Sequence, residues 1–185
     1  MDGNGIANQS AWASADDGVL VFDADRDGSI SGPEEFIFTG YVEGAQTDLE
    51  GLQAFNSDGD STLDSDDSLY GDFHIFQDIN FNGIVEEGEL TSLNELGIAS
   101  IGLESDEISS IEADGDVTVF GTSEVSYIDG STTDAADAAF HYEQDSGIEG
   151  LALDFSRLDN LAIGDKVGLE AGQGAVADNL SLIHI

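Results

Sequence analysis

The chain has 185 residues, and its 40 Asp and Glu residues outnumber 3 Lys and Arg residues, which gives a formal charge of −37 at pH 7. So acidic a chain excludes nucleic acid and anionic membrane surfaces as partners, because binding to either needs Lys and Arg. The apolar fraction of 40% is enough for a folded core, the absence of Cys excludes disulfides, and no stretch is apolar and long enough to insert into a membrane.

Residues 23–34 follow a short apolar run, 19–22, and have the spacing of an EF-hand calcium loop. Such a loop supplies oxygen ligands from positions 1, 3, 5, 7, 9 and 12 and needs Gly at position 6 for a sharp turn. Gly28 stands at position 6. The predicted calcium ligands of this first loop are Asp23, Asp25, Asp27, Ser29, Ser31 and Glu34, with Ser29 contributing its backbone carbonyl.

Residues 78–89 form a third loop that keeps every feature, including Gly83 at position 6. Its predicted ligands are Asp78, Asn80, Asn82, Ile84, Glu86 and Glu89. A shuffled chain of this composition would contain roughly 0.007 matches to the full pattern, whereas two occur. Chance is therefore a poor explanation for the two loops.

Residues 56–67 form a second, degenerate loop that lacks Gly at position 6 and ends in Asp instead of the longer Glu. Its predicted ligands are Asn56, Asp58, Asp60, Thr62, Asp64 and Asp67. A weaker calcium site and a turn without metal both fit this sequence. Position 8 is apolar in all three loops (Ile30, Leu63 and Val85), which predicts a short β-bridge between paired loops.

A fourth loop, cut by the start of the chain, is predicted because residues 2–8 match positions 3 to 9. We therefore expect the chain to begin inside a larger protein. Asp16 and Asp17 are candidates to complete that site.

The predicted fold class is α+β, with EF-hand-like calcium loops and short helices followed by a small antiparallel β region. Short helices are predicted at 34–38, 48–55, 66–70 and 87–96, and an extended segment at 73–76. Strands are predicted at 98–103, 107–111, 117–120 and 124–128, with a helix or a last strand at 135–142. Turns are predicted at 114–116 and 129–130.

Three regions follow from these elements. Residues 1–142 are the predicted calcium-binding module, and the Gly-rich residues 143–179 are a linker or the start of a following module. Residues 180–185 read Leu-Ser-Leu-Ile-His-Ile, which matches the translation of a sequencing-library adapter. We expect these six residues to be an artefact, with a natural strand as the alternative.

Several motifs occur in one characteristic order. The first is Trp12 followed by residues 16–18, and the next are the first loop with Glu35 directly after it and the second loop. The remaining motifs are residues 76–80, 83–90, 94–98, 129–131 and 135–137. In this order they resemble the calcium-dependent self-processing module of RTX-type bacterial proteins that leave the cell by type I secretion. The resemblance implies a secreted, extracellular module that folds on binding Ca²⁺, with neighbouring modules of a larger chain as partners.

Some members of that family cut an Asp-Pro bond at the upstream edge of the module. The only Pro here is Pro33, which follows Gly32, so the cleavage chemistry does not carry over to this sequence. No Gly-x-Ser-x-Gly elbow is present, and we expect His74 and His141 to be structural. The sequence therefore predicts a calcium-binding module and no catalytic residues, with a calcium-triggered autoproteolytic module or a dockerin-like adhesion module as alternatives.

Overall fold

The computed structural model describes residues 9–10, 17–140, 142–143 and 180–185, and these are mostly β. The strands are β1 Gln9–Ser10, β2 Val19–Phe22, β3 Thr62–Asp64, β4 Phe73–Phe76, β5 Leu90–Ser92, β6 Ile98–Gly102, β7 Ser110–Glu112, β8 Val117–Tyr127, β9 Thr132–Phe140, β10 Tyr142–Glu143 and β11 Leu180–His184. Helix α1 covers Asp48–Leu52 and continues into a 3₁₀ turn, Gln53–Phe55. The other 3₁₀ turns are Pro33–Glu35, Thr39–Tyr41, Tyr70–Asp72 and Ala113–Gly115.

Nine of these strands form one antiparallel sheet. Its order is β3-β6-β8-β9-β11-β2-β4-β5, with β7 paired to β8, and β1 pairs separately with β10. Strands from the loop-containing half of the chain therefore flank strands from the C-terminal half. The β region does not follow the loops as a separate unit.

The predicted α+β fold class with EF-hand helices is wrong. Of the four predicted helices only 48–55 is helical along its length, as α1 and the turn after it. A single 3₁₀ turn lies at each of the sites 34–38 and 66–70, and 87–96 contains strand β5. Gly88 has φ +92° and Leu90 pairs with Phe76, so strand pairing overrides a short helical pattern there.

Most of the strands predicted from residue 73 onward are confirmed. The segment 73–76 is strand β4, and β6 and β7 overlap the strands predicted at 98–103 and 107–111. The predicted strands 117–120 and 124–128 are one continuous strand, β8, with a register shift between Val119 and Gly121. The helix alternative at 135–142 is wrong, because 132–140 pairs with β8 and β11 as strand β9. Turns occur at Ala113–Gly115 and at Gly130, where φ is +85°.

Residues 180–184, which we expect to derive from an adapter, form strand β11 between β9 and β2. Several sequence predictions lie outside the described residues. These are the truncated loop at 2–8, Trp12, Asp16, His141 and nearly all of the linker 143–179.

All four residues of strand β2 are buried. Alternate side chains point to opposite sides of a sheet, so β2 contributes to a hydrophobic cluster on each face. Leu20 and Phe22 enter a first hydrophobic cluster that also holds Phe38, Phe55 and Phe73. The ring centroids of Phe22 and Phe55 lie 4.8 Å apart. Val19 and Val21 enter a second cluster built around Phe76 and Phe140.

Two buried carboxyl groups fix helix α1 beside the sheet. Asp48 accepts hydrogen bonds from the backbone N–H groups of Phe38 and Thr39 at 2.7 and 3.0 Å. Asp137, on β9, accepts one from the N–H of Leu49 at 3.0 Å. The Asp48 bonds join α1 to the start of the 3₁₀ turn Thr39–Tyr41, and the Asp137 bond satisfies a backbone donor at the start of α1 and ties the helix to the centre of the sheet.

Gly51 packs against the main chain on the inner face of helix α1. A Cβ atom at this position would overlap the carbonyl group of Phe38. We expect Gly51→Ala to lower the free energy of unfolding by about 2 kcal/mol, although Ala favours a helix, because the overlapped atoms are backbone. Urea denaturation checks this, with Gly40→Ala, which meets no atom within 4 Å, as the control. An equal effect of both substitutions would contradict the packing explanation.

Candidate metal centre

The first loop gathers three carboxylates directly after strand β2. Oxygen atoms of Asp23, Asp25 and Asp27 all lie within 4.8 Å of one another. Asp23 is buried, and its two oxygens accept backbone hydrogen bonds from Asp27 and Gly28 at 3.1 and 2.9 Å. Like charges held this close repel one another, so a cation would stabilise this arrangement.

The third loop follows strand β4, and its position-1 carboxylate makes the same hydrogen bonds as that of the first loop. Asp78 is also buried, and its oxygens accept hydrogen bonds from the N–H groups of Asn82 and Gly83 at 3.0 and 2.8 Å. In the second loop the Asn56 side-chain oxygen accepts from Gly59 and Asp60 at 2.8 and 3.2 Å. Position 1 therefore fixes the turn in all three loops.

Positions 3 and 5 follow one hydrogen-bonding rule in every loop. The side-chain oxygen at position 3 accepts from the N–H of position 5, and the oxygen at position 5 accepts from the N–H of position 7. The residues are Asp25, Asp27 and Ser29 in the first loop, Asp58, Asp60 and Thr62 in the second, and Asn80, Asn82 and Ile84 in the third. Each predicted ligand at these positions thus faces into its own turn.

Two left-handed residues shape each turn. Position 4 has positive φ at Arg26, Gly59 and Phe81, and position 6 has positive φ at Gly28, Ser61 and Gly83. The second loop, which lacks Gly at position 6, still adopts the left-handed conformation there, with φ +70° at Ser61. The degenerate sequence therefore folds like its two neighbours.

The carboxylate that closes each loop accepts hydrogen bonds from positions 2 and 9. Asp67 accepts from the N–H groups of Ser57 and Asp64 at 2.5 and 3.1 Å. Glu89 accepts from those of Ile79 and Glu86 at 3.2 and 3.1 Å. Both carboxylates are buried.

In the first loop this closing place is taken by Glu35 and not by the predicted Glu34. Glu35 is 3% exposed and accepts from the N–H groups of Ala24, at 3.2 Å, and Ser31, at 2.6 Å, which are positions 2 and 9. It also accepts from Gly32 at 3.0 Å. Glu34 is exposed. The Glu-Glu doublet after Gly32-Pro33 was the signal in the sequence that left this choice open.

The remaining predicted ligands, at position 9, differ between loops. Ser31 contributes its N–H to Glu35, as above, while an Asp64 carboxylate oxygen lies 3.3 Å from the hydroxyl oxygen of Thr62. Glu86 accepts from the side-chain amides of Asn80 and Asn82 at 2.6 and 3.3 Å. These bonds hold the position-9 carboxylate of the third loop over the mouth of the turn.

Two carboxyl groups of the second loop, Asp58 and Asp60, have pKa values shifted in opposite directions. The Thr62 hydroxyl donates to Asp60 at 2.7 Å and lowers the pKa of that carboxyl group. Desolvation raises the pKa of Asp58, and the negative charges of Asp60, Asp67 and Asp64 raise it further. A nearby cation would therefore favour the ionised form of Asp58.

Comparison with known proteins now defines the family. The SPM domain family matches residues 1–141, which include all three loops and the sheet up to β9. This chain belongs to the SPM domain family. The iron-regulated protein FrpA of Neisseria meningitidis serogroup C is 31% identical to this chain over 137 residues. The aligned region covers 72% of this chain and 12% of FrpA, so this SPM domain corresponds to a small part of that relative.

The apolar residue at position 8 joins each loop of the SPM domain to the core. Leu63 pairs with Ile101 of strand β6, so its β-bridge runs to the sheet and not to another loop as predicted. Ile30 and Val85, from the first and third loops, both contact the second hydrophobic cluster around Phe76. A loop that changes shape must therefore disturb the packing of the core.

An ion pair fastens the first loop to the chain ahead of β4. The Arg26 guanidinium donates to both oxygens of Asp72, at 3.0 and 2.7 Å, and the Asp23 N–H donates to the Asp72 carbonyl at 2.9 Å. His74, which we expected to be structural, lies on β4 with Nδ1 3.2 Å from that same carbonyl. Among the described residues Arg26 is the one Lys or Arg, and Asp72 already engages it.

Two structural contributions to this SPM domain are not predicted by the sequence. The sequence prediction put Glu35 directly after the first loop and left it out of the ligand set. Asp48 and Asp137 were given no role, although they hold α1 against the sheet. Their isolated carboxylates carry no spacing pattern, and only the fold shows the backbone groups that they accept from.

Proposed function

We propose that this SPM domain binds Ca²⁺ in its three loops and that binding completes its folding. One observation carries the proposal: each loop buries a closing carboxylate over a turn that is lined with further carboxylate and amide oxygens. Buried anions need a compensating charge, and the described residues offer one guanidinium, already paired with Asp72. Oxygen ligands of this kind suit Ca²⁺.

Glu35 replaces Glu34 in the proposed ligand set of the first loop. The set is then Asp23, Asp25, Asp27, Ser29, Ser31 and Glu35. The second and third loops keep the residues predicted from the sequence. Glu35 supports this role because its hydrogen bonds match those of Asp67 and Glu89 in the other two loops.

Calorimetric titration of Ca²⁺ into the metal-free chain tests this function. We expect saturable binding with a stoichiometry near three ions, and the loss of one ion in each of the variants Asp23→Ala, Asn56→Ala and Asp78→Ala. Binding that survives all three substitutions combined would refute the loops as the sites. Two ions, lost with Asp23→Ala and Asp78→Ala, would leave the second loop as a turn without metal.

We further infer an extracellular setting for the domain and an RTX-like, type I-secreted parent protein. Extracellular sites typically have dissociation constants of roughly 10⁻⁴ to 10⁻³ M, so such loops would fill outside a cell, where calcium is plentiful. Among the residues that the structure describes, none of the helices has the length and apolar character needed to cross a membrane.

We propose calcium-triggered self-cleavage as a second candidate function, on the order of the sequence motifs. The chain supplies no Asp-Pro bond, so the bond to be cut would lie in sequence that precedes it. Adding calcium to a longer product of the same gene and following its size on a gel tests this. The dockerin-like alternative is disfavoured, because single 3₁₀ turns stand where helices were predicted after the first and second loops, and strand β5 follows the third.

Position 8 offers a test of the link between loop and core. We expect Ile30→Ala, which removes no oxygen ligand, to lower both the stability of the chain by about 2 kcal/mol and the calcium affinity of the first loop. Ile30 is buried in the second cluster, whereas Ile111 is largely exposed and serves as the matched control. Calorimetric titration of both variants measures the effect. Unchanged affinity in Ile30→Ala would separate the loop from the core.

A further inference from the structure

The third loop exposes three large apolar side chains that the coordination of an ion does not require. Ile79, Phe81 and Ile84 are 58%, 64% and 59% exposed. We call these three residues the third-loop tip. They lie within six consecutive residues of one turn, so this turn presents three apolar side chains to solvent.

The two other loops have the same backbone turn without such a surface. The tip residues occupy positions 2, 4 and 7. The equivalent residues are Ala24, Arg26 and Ser29 in the first loop and Ser57, Gly59 and Thr62 in the second. A turn of this shape therefore forms without apolar side chains at these positions.

Phe81 has an unfavourable backbone conformation and an exposed aromatic ring. Its φ is +60°, a left-handed conformation that bulky residues rarely adopt, and its ring is exposed to water. At the same position Gly59 relieves the strain in the second loop, and Arg26 in the first loop is held by its ion pair with Asp72. A residue that violates local preferences without a gain in packing indicates a role in binding.

We propose that the third-loop tip is a docking surface for a peptide segment that combines apolar side chains with Lys or Arg. The tip supplies the apolar contact, and the exposed Glu86 and Glu87 flank it with negative charge. A second copy of a chain with a charge of −37 would be repelled, as would an anionic membrane. A cationic segment complements both the apolar and the acidic parts of this surface.

This docking surface goes beyond the calcium proposal, and it shares Glu86 and the backbone of Ile84 with the proposed third calcium site. The tip side chains point away from the turn, whereas the oxygens of positions 1, 3 and 5 point into it. EGTA is expected to unfold the whole chain, so peptide binding is measured in calcium, where the tip variant keeps every side-chain oxygen ligand of the third loop. Loss of calcium binding with retained peptide binding would count against the calcium sites alone.

The test uses a fluorescent peptide of alternating Leu and Lys pairs. Fluorescence anisotropy measures its affinity for the full chain at physiological ionic strength. The tip variant Ile79→Ser, Phe81→Gly, Ile84→Thr introduces the residues of the second loop. The control variant Ile108→Ser, Ile111→Ser, Ile128→Ser removes three other exposed apolar side chains, 70%, 73% and 76% exposed, and leaves the net charge unchanged. General attraction between opposite charges is thus equal in both variants.

We expect the tip variant to bind the peptide at least about tenfold more weakly, with the control variant within about twofold of the natural chain. Phe81→Asn, which suits a left-handed residue, should reproduce part of the loss and covers a folding failure of the triple variant. Equal affinity of tip and control variants would overturn the proposal. Phe81-dependent binding to phosphatidylcholine vesicles with no effect on the peptide would also overturn it, in favour of a lipid surface.

Discussion

We expect the chain to lose most of its strand signal in far-UV circular dichroism when EGTA removes calcium. In the first loop the carboxylate oxygens of Asp23, Asp25 and Asp27 lie within 4.8 Å of one another, and without an ion this repulsion opposes the closed turn. Leu63, Ile30 and Val85 then lose the loop geometry that places them in the sheet and the core. The whole fold should therefore respond, and not the loops alone.

The size of this effect follows from the linkage between binding and folding. A site held at 100 times its dissociation constant adds about 2.7 kcal/mol to the free energy of unfolding, and three such sites add about 8 kcal/mol. A small domain has a net stability of about 5 to 15 kcal/mol, so calcium would decide whether this chain folds. Urea denaturation with and without calcium measures the difference.

Salt provides the control for this experiment. NaCl at matched ionic strength screens the charge of −37 without occupying the loops. If NaCl restores the fold as well as calcium does, charge screening explains the stabilisation and specific sites do not. A metal-free chain that melts cooperatively with an unchanged spectrum would contradict the coupling outright.

The second large effect is expected for Glu35→Gln. The substitution removes the buried negative charge that closes the first loop. Gln has one acceptor oxygen where Glu has two, so its side chain cannot accept from both Ala24 and Ser31. We expect the calcium affinity of the first loop to fall about 100-fold, or roughly 2.7 kcal/mol. Calorimetry in a background where Asn56→Ala and Asp78→Ala silence the second and third loops isolates this site.

Glu34→Gln is the matched control, because it makes the same chemical change one residue earlier on an exposed side chain. We expect it to change the affinity by less than about threefold, as surface charges contribute little. The reverse result, a large loss for Glu34→Gln and a small one for Glu35→Gln, would return Glu34 to the ligand set predicted from the sequence.

The turns themselves could be located from the sequence because they depend on local spacing. Side-chain oxygens at positions 1, 3 and 5 bond to backbone groups only a few residues away, so the pattern is contained in twelve residues. The closing residue of the first loop was harder to identify. Pro33 starts a 3₁₀ turn and the N–H of Glu35 bonds to the carbonyl of Gly32, which brings Glu35 and not Glu34 over the loop.

The sheet could not be derived in the same way, because its pairings join residues far apart in the chain. Leu63 lies in the second loop, yet its strand partner is Ile101. Asp137 lies on β9, yet it accepts from Leu49 at the start of α1. The helical spacing near Leu90 was a local pattern that a distant pairing with Phe76 overrode.

Amide hydrogen exchange at the β3–β6 pair is the most direct test of calcium-coupled folding. The central claim is that filled loops complete the sheet. Leu63 lies in the second loop, and its partner Ile101 lies on β6, the next strand of the sheet. We predict that their amides exchange freely in EGTA and become protected in proportion to bound calcium, in step with the amides of β2 and β4. Equal protection with and without the ion would contradict the account.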